Sequence, residues 1–376
     1  MWTFLARDCS TERWIRVCLV KGENDQMKAY ALSLFAVLAT AQPRADVYLQ
    51  HNLVSDLPAH AEVQDKNLVN PWGITAGPTT PFWISDNGTG VSTLYDTDGR
   101  PFPAGDPLVV TIPPPSGVTT HSAPTGVVFN GTNSFALPTG GKALFIFAAE
   151  DGTISGWNLT SGKNAVQKVD HSASAVYKGV TIATHGGSDF IYATNFRTGN
   201  IDVFDTNFAP AGSFSDTTLP AGYAPFGIQN IGGTIYVTFA LQNAEKHDDV
   251  AGAGNGFVDI FNPTGTFTRL ISNGALNSPW GLAKSPANFG EFSNSLLVGN
   301  FGDGTINAFD SATGVLQGTL HAPSGRPLTI QGLWGLLFGN GTNGGNPGFL
   351  YFTAGIPGPG QIEDHGLFGQ IRPQHP

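Results

Sequence analysis

The chain has 376 residues, 18 Lys+Arg against 28 Asp+Glu, and a formal net charge of −10. It has no basic run, so it lacks the clustered Lys and Arg that phosphate neutralisation requires, and nucleic acid is excluded as a partner. Its 49 Gly and 26 Pro are spread along the sequence, which points to many tight turns in one body and not to a linker.

In chain order, residues 1–26 carry no strand or helix pattern and are read as a gene-model extension or a disordered leader. Met27-Lys28, the apolar run Ala29 to Ala39 and Ala39-Thr40-Ala41 then follow the plan of a secretory signal peptide over 27–41. The run is well short of the ~20 residues that span a bilayer, and no later segment is apolar enough to do so. Cleavage after Ala41 leaves residues 42–376 as a single domain, secreted or periplasmic. Cys9 and Cys18 precede that cut, so the mature chain has no thiol chemistry. Five of the 18 basic and four of the 28 acidic residues also precede it, leaving 13 against 24.

The body repeats. Lead glycines Gly73, Gly126, Gly179, Gly227, Gly281 and Gly335 are spaced by 53, 53, 48, 54 and 54 residues, and each opens a short apolar strand. A second strand follows (Phe82 to Ser85, Phe190 to Thr194, Ser295 to Gly299). A third often ends in an aromatic and then Asp96, Asp205, Asn262 or Asp310. A fourth follows, as at Leu108 to Ile112 and Thr266 to Ile271. Four antiparallel strands at a period of about 50 residues predict an all-β, six-bladed β-propeller. The sixth unit lacks a fourth strand. Asn52 to Asp56 (NLVSD) matches Arg269 to Asn273 (RLISN), and both lead into Pro-Trp-Gly, so Val47 to Val54 is predicted to close the ring in the last blade.

Propeller loops between strands four and one, and two and three, share one face. Here that face collects His60, Glu62, Asp65, His121 and His171 from the first kind of loop, and Asp86, Glu150, Asp151, Arg197 and Asp303 from the second. Two insertions rise from it. Ala240 to Gly256 holds Glu245, Lys246, His247, Asp248 and Asp249; Ala354 to Gly366 holds Glu363, Asp364 and His365. Carboxylates with imidazoles suit a divalent cation: Ca²⁺ or Mg²⁺ through oxygen, Zn²⁺ or Mn²⁺ if His ligates. The alternative is a solvated acidic rim. A second candidate set lies where strand two ends: Asp86, Glu150, Asn195 and Asn300 could form a ring, or could cap their turns as Asx residues do. Trp72, Phe226, Trp280 and Trp334 read as wedges between blades ahead of a sugar-stacking surface. Asp96-Thr97-Asp98-Gly99 reads as a hairpin turn, not a calcium loop, and Gly339 to Gly344 opens no helix for a phosphate. Sequons stand at Asn87, Asn130, Asn158 and Asn340.

The stretches Asn52 to Ile74, Phe82 to Asp96, Lys246 to Phe261 and Leu350 to Ile371 resemble an uncharacterised family of exported, mostly bacterial proteins with NHL-like propeller repeats. The resemblance spans the mature chain and implies the propeller fold and export, without an activity. Two functions stay open: a binding module for a small ligand, glycan or protein at an acidic channel mouth, or a metal-dependent hydrolase or lactonase using His247 or His365 as acid/base.

Overall fold

The computed structural model describes residues 46–359 and 362–374, together with two short strands nearer the start. The chain forms two compact units, Met1–Arg44 and Ala45–Pro376. In the first, Leu5–Arg7 pairs antiparallel with Trp14–Arg16, although the sequence there shows no strand pattern. Three residues per strand are too few for alternation to register. The leader expected at 27–41 lies outside the described residues.

The second unit is a ring of six antiparallel sheets, a β-propeller. The inner strands are Pro71–Thr75, Pro124–Phe129, Tyr177–His185, Tyr223–Ile231, Pro279–Lys284 and Leu333–Phe338, and they open blades one to six. In blades one to five the four strands follow outward in chain order. The lead glycine has a steric cause. A Cβ on Gly73 would stand 2.5 Å from the Thr125 carbonyl oxygen, and one on Gly126 would stand 2.6 Å from the Val180 nitrogen. Each lead glycine lets the next inner strand approach, so the spacing of the glycines follows the spacing of the blades.

Blade six is completed by the N-terminal side. Val47–Ser55 pairs with Leu367–Gln374, with Val54 opposite Phe368 and Leu49 opposite Arg372. A short strand not foreseen in the sequence, Val63–Gln64, adds in parallel to its end. Tyr48 on the closing strand is fully buried against Phe289 and Phe292 of blade five and donates its hydroxyl to the Phe289 carbonyl at 3.1 Å. The seam between blades six and one is as apolar as the others: Tyr351 and Phe368 meet Phe82 and Tyr95. Fully burying side chains of this kind contributes about 1.5–3 kcal/mol each.

The turns use polar caps. Asp96, Asp205, Asn262 and Asp310 each accept two backbone N–H groups at the hairpin between strands three and four. The sequon asparagines serve the fold in a similar way. The side-chain amides of Asn87, Asn130, Asn158 and Asn340 all donate inside the protein, to Glu150, Ala143, Gly140 and Gly77 respectively.

Candidate functional site: a charged mouth above an aromatic plug

The residues before the six lead glycines are Trp72, Thr125, Lys178, Phe226, Trp280 and Trp334. The four aromatics gather in one cluster with Lys178 against the Trp72 ring, whereas Thr125 donates to the Ala148 and Tyr177 carbonyls. The aromatics are core, and they do more than wedge neighbouring blades such as six and one or five and six. Trp72 of blade one meets Phe226 of blade four, on the opposite side of the ring, at 6.4 Å between centroids. It also stacks on Trp334 at 3.5 Å, and Trp334 stacks on Phe301 at 4.0 Å. Blades one and four can touch only across the axis, so these rings plug the channel. A strand pattern tells which face a side chain takes, but not that the innermost residues reach across a ring.

Lys178 stands at the same register and is 1% exposed. Its ammonium lies 5.0 Å from the Trp72 ring centroid and 5.8 Å from that of Phe196, an arrangement that favours a cation on an aromatic face. It donates to Glu150 Oε1 at the end of strand two in blade two, and lies 3.6 Å from Asp248 Oδ1 on the blade-four insertion. Asp248 Oδ1 is also 2.7 Å from His247 Nδ1. The insertion is held in place by Asn243, whose side-chain oxygen accepts the N–H groups of His247 and Asp248.

The network continues around the mouth. Asn87 donates to Glu150 Oε2 at 2.8 Å; Asn70 donates to Glu363 Oε1 at 3.0 Å and accepts from Trp334 Nε1 at 3.1 Å. Asn70 also donates to Asn87 Oδ1 at 3.3 Å, so blades one, two, three, four and six meet in one set of hydrogen bonds and ion pairs. Ser278, at the start of blade five, reaches the Asp249 side. The Ser278 hydroxyl lies close enough to lower the Asp249 pKa, yet Asp249 Oδ2 and Ser278 Oγ are buried without a hydrogen bond of normal geometry.

Electrostatics follow from this crowding. The hydrogen bond to Asp248 raises the His247 pKa and lowers that of Asp248, with the Lys178 charge adding to the latter. Burial raises Asp249. Burial also pushes Glu363 up to about 7, helped by the negative Glu150 and Asp249 and opposed by Asn70 and Lys178. Glu363 adopts a left-handed backbone (φ 74°), an uncommon conformation for a residue with a side chain.

The candidates from the insertions therefore separate. His247 and Asp248 join Glu150 as donors whose ligating atoms lie within 4.8 Å of one another; among the described residues this is the group that could hold a metal. Asp249 and Glu363 border it. Glu245 and Asp364 are exposed, and His365 turns to Asp56 at 2.6 Å. Of the strand-two set, Asn195 accepts from Val176 N and donates to Asp202, and Asn300 accepts from Asn277 N and donates to the Ala275 carbonyl. Asp86 is fully buried, accepts from Thr93 Oγ1, and is held well above the usual carboxylate range by desolvation. Only Glu150 of that set reaches the Lys178 network. His171 bonds the Tyr177 hydroxyl, and Asp151 and Asp303 cap their own turns. Sequence reasoning missed Lys178, Asn70 and Asn87. A cation among aromatics in the series before the lead glycines was the available signal for Lys178. Below the plug the axial cavity is lined by lead glycines and by apolar residues such as Val127, Val180 and Leu336, without an ionisable side chain, so the chemistry belongs to the mouth.

Fold and mouth together define a six-bladed propeller with a plugged channel and a charged site above the plug. The chain belongs to the family of two mimivirus proteins. It is 34% identical over 300 residues to "Uncharacterized protein R648" of Acanthamoeba polyphaga mimivirus, covering 76% of this chain and 72% of that one. It is 33% identical over 300 residues to "Uncharacterized protein L690" of the same virus, covering 76% and 77%. Among solved structures it is similar to a streptogramin B lyase, with a TM-score of 0.52 at 12% identity, over 88% of this chain and 98% of the other. At that identity the likeness speaks for the fold alone. No protein-family profile matches the chain.

Proposed function

We propose that this is an exported binding propeller whose small ligand is held at the channel mouth through a divalent cation seated by Glu150, His247 and Asp248. The observation that carries the reading is the convergence of those three donors within 4.8 Å. Two carboxylates and one imidazole suit Mn²⁺ or Zn²⁺ better than the all-oxygen shell preferred by Ca²⁺. The insertion that brings His247 and Asp248 is pinned by Asn243, so the donors are ordered in advance. The test is thermal unfolding of chelator-treated protein with Mn²⁺, Zn²⁺, Ca²⁺ and Mg²⁺ in turn. Binding stabilises the fold by about 2.7 kcal/mol at 100 times the dissociation constant. The response is expected in wild type and lost in Asp248→Asn. An unchanged midpoint with all four ions removes the metal from the reading. Export rests on the Met27 to Ala41 pattern; N-terminal sequencing of secreted protein that still contains Cys18 would refute it.

A hydrolytic reading is favoured by one observation: Glu363, with a pKa near 7 and oriented by Asn70, is suited to carry a proton beside the donors. It requires turnover of lactones or esters that Glu363→Gln abolishes while metal binding persists. No turnover by wild type across such a panel leaves the binding function alone.

A further inference from the structure

We propose that the Lys178 ammonium is the resident cation of this mouth, and that it competes with the divalent ion for Glu150 and Asp248 and has a second seat beside Asp249 and Ser278. The inference rests on the cation-binding reading above. Four of the six residues before the lead glycines are plug aromatics and a fifth is a buried threonine; blade three alone places an ionisable group there. A nearly inaccessible ammonium is costly unless paired, and Lys178 is paired with the very oxygens that would ligate a metal. A metal ion would bind those oxygens at about 2.0–2.6 Å, which brings two cations into contact unless the ammonium withdraws.

The geometry offers a place to withdraw to. Ser278 is fully buried and its hydroxyl faces the Asp249 side chain, yet that hydroxyl and Asp249 Oδ2 have no hydrogen bond of normal geometry. Native proteins rarely leave such atoms unsatisfied without a reason. Lys178 Nζ already lies 3.6 Å from Asp248 Oδ1, on the residue next to Asp249 in the chain. The Lys178 backbone is meanwhile fixed, since Trp280 Nε1 donates to its carbonyl at 3.0 Å. A swing of the side chain from Glu150 and Asp248 to Asp249 and Ser278 would satisfy both orphans and clear the donors.

Calorimetric titration with Mn²⁺ alone tests this on wild type, Lys178→Met and Asp249→Asn. Lys178→Met is expected to bind Mn²⁺ at least about ten-fold tighter, because a like charge a few ångströms away is removed. Asp249→Asn, which weakens the second seat, is expected to bind more weakly than wild type. Mn²⁺ binding to Lys178→Met but not to wild type also supports the proposal. Equal or weaker affinity in Lys178→Met, with wild type binding, overturns it and leaves the cation reading intact. If Lys178→Met does not fold, unchanged affinity in Asp249→Asn overturns it. Absence of binding in all three proteins overturns the cation reading and this inference with it.

Discussion

Lys178 Nζ lies 5.0 Å from the centroid of the Trp72 ring, so a side chain of blade three sits over one from blade one. These blades share no strand pairing, and the contact exists only because the inner strands converge on the axis. The plug forms the floor of the mouth, and the Lys178 charge ties that floor to the carboxylates above it.

The first prediction concerns that charge. Lys178 is 1% and Glu150 12% exposed at the side chain. Removing one member of such a pair leaves the other buried and uncompensated, at a cost of about 3–5 kcal/mol. Lys178→Met should therefore lower the denaturant midpoint strongly in the absence of metal. Lys178→Met with Glu150→Gln should recover most of the loss. A double variant as unstable as the single would mean that packing, not charge, sets the cost.

Ring closure gives the second. Tyr48→Ala removes a fully buried ring and its hydroxyl bond to Phe289, and is expected to cost about 3–5 kcal/mol in chemical denaturation. Deleting residues 46–56 should cost more, because it also exposes an edge of blade six. An unchanged midpoint for either would contradict closure through this strand.

Asp86 gives the third. It holds a position where blades three and five place Asn195 and Asn300, and burial raises its pKa. A carboxyl raised above its unfolded value adds most stability below the unfolded pKa and loses it as pH rises toward the folded one. Asp86→Asn is therefore expected to match wild type near pH 3 and to exceed it increasingly at neutral pH. A variant less stable than wild type at pH 7 would show that the carboxylate is needed.

Glu363 is raised from 4.5 to about 7, so the same sign applies. Relative to Glu363→Gln, wild type should lose stability between about pH 4.5 and 7 and change little above that, by up to about 3 kcal/mol in total. Parallel pH profiles for the two proteins would mean that Glu363 is ionised like an exposed carboxylate.

Much of the fold was legible because steric necessity left a periodic trace. A Cβ on Gly73 or Gly126 would strike the next inner strand, so the glycines recur with the blades. The Asn52 to Asp56 match exposed the closure for a similar reason, since one strand replaces another. The mouth was legible only in part. Insertion length singled out His247, Asp248 and Glu363, but could not tell that His365 turns to Asp56. Asn70, Asn87 and Lys178 lie in ordinary repeat positions, and their roles arise only when five blades converge.

The most direct test of the account is anomalous diffraction from crystals grown with Mn²⁺. The account predicts one strong peak bounded by Glu150, His247 and Asp248, with the Lys178 side chain turned toward Asp249. No peak at the mouth, or a peak elsewhere with Lys178 still on Glu150, would contradict it.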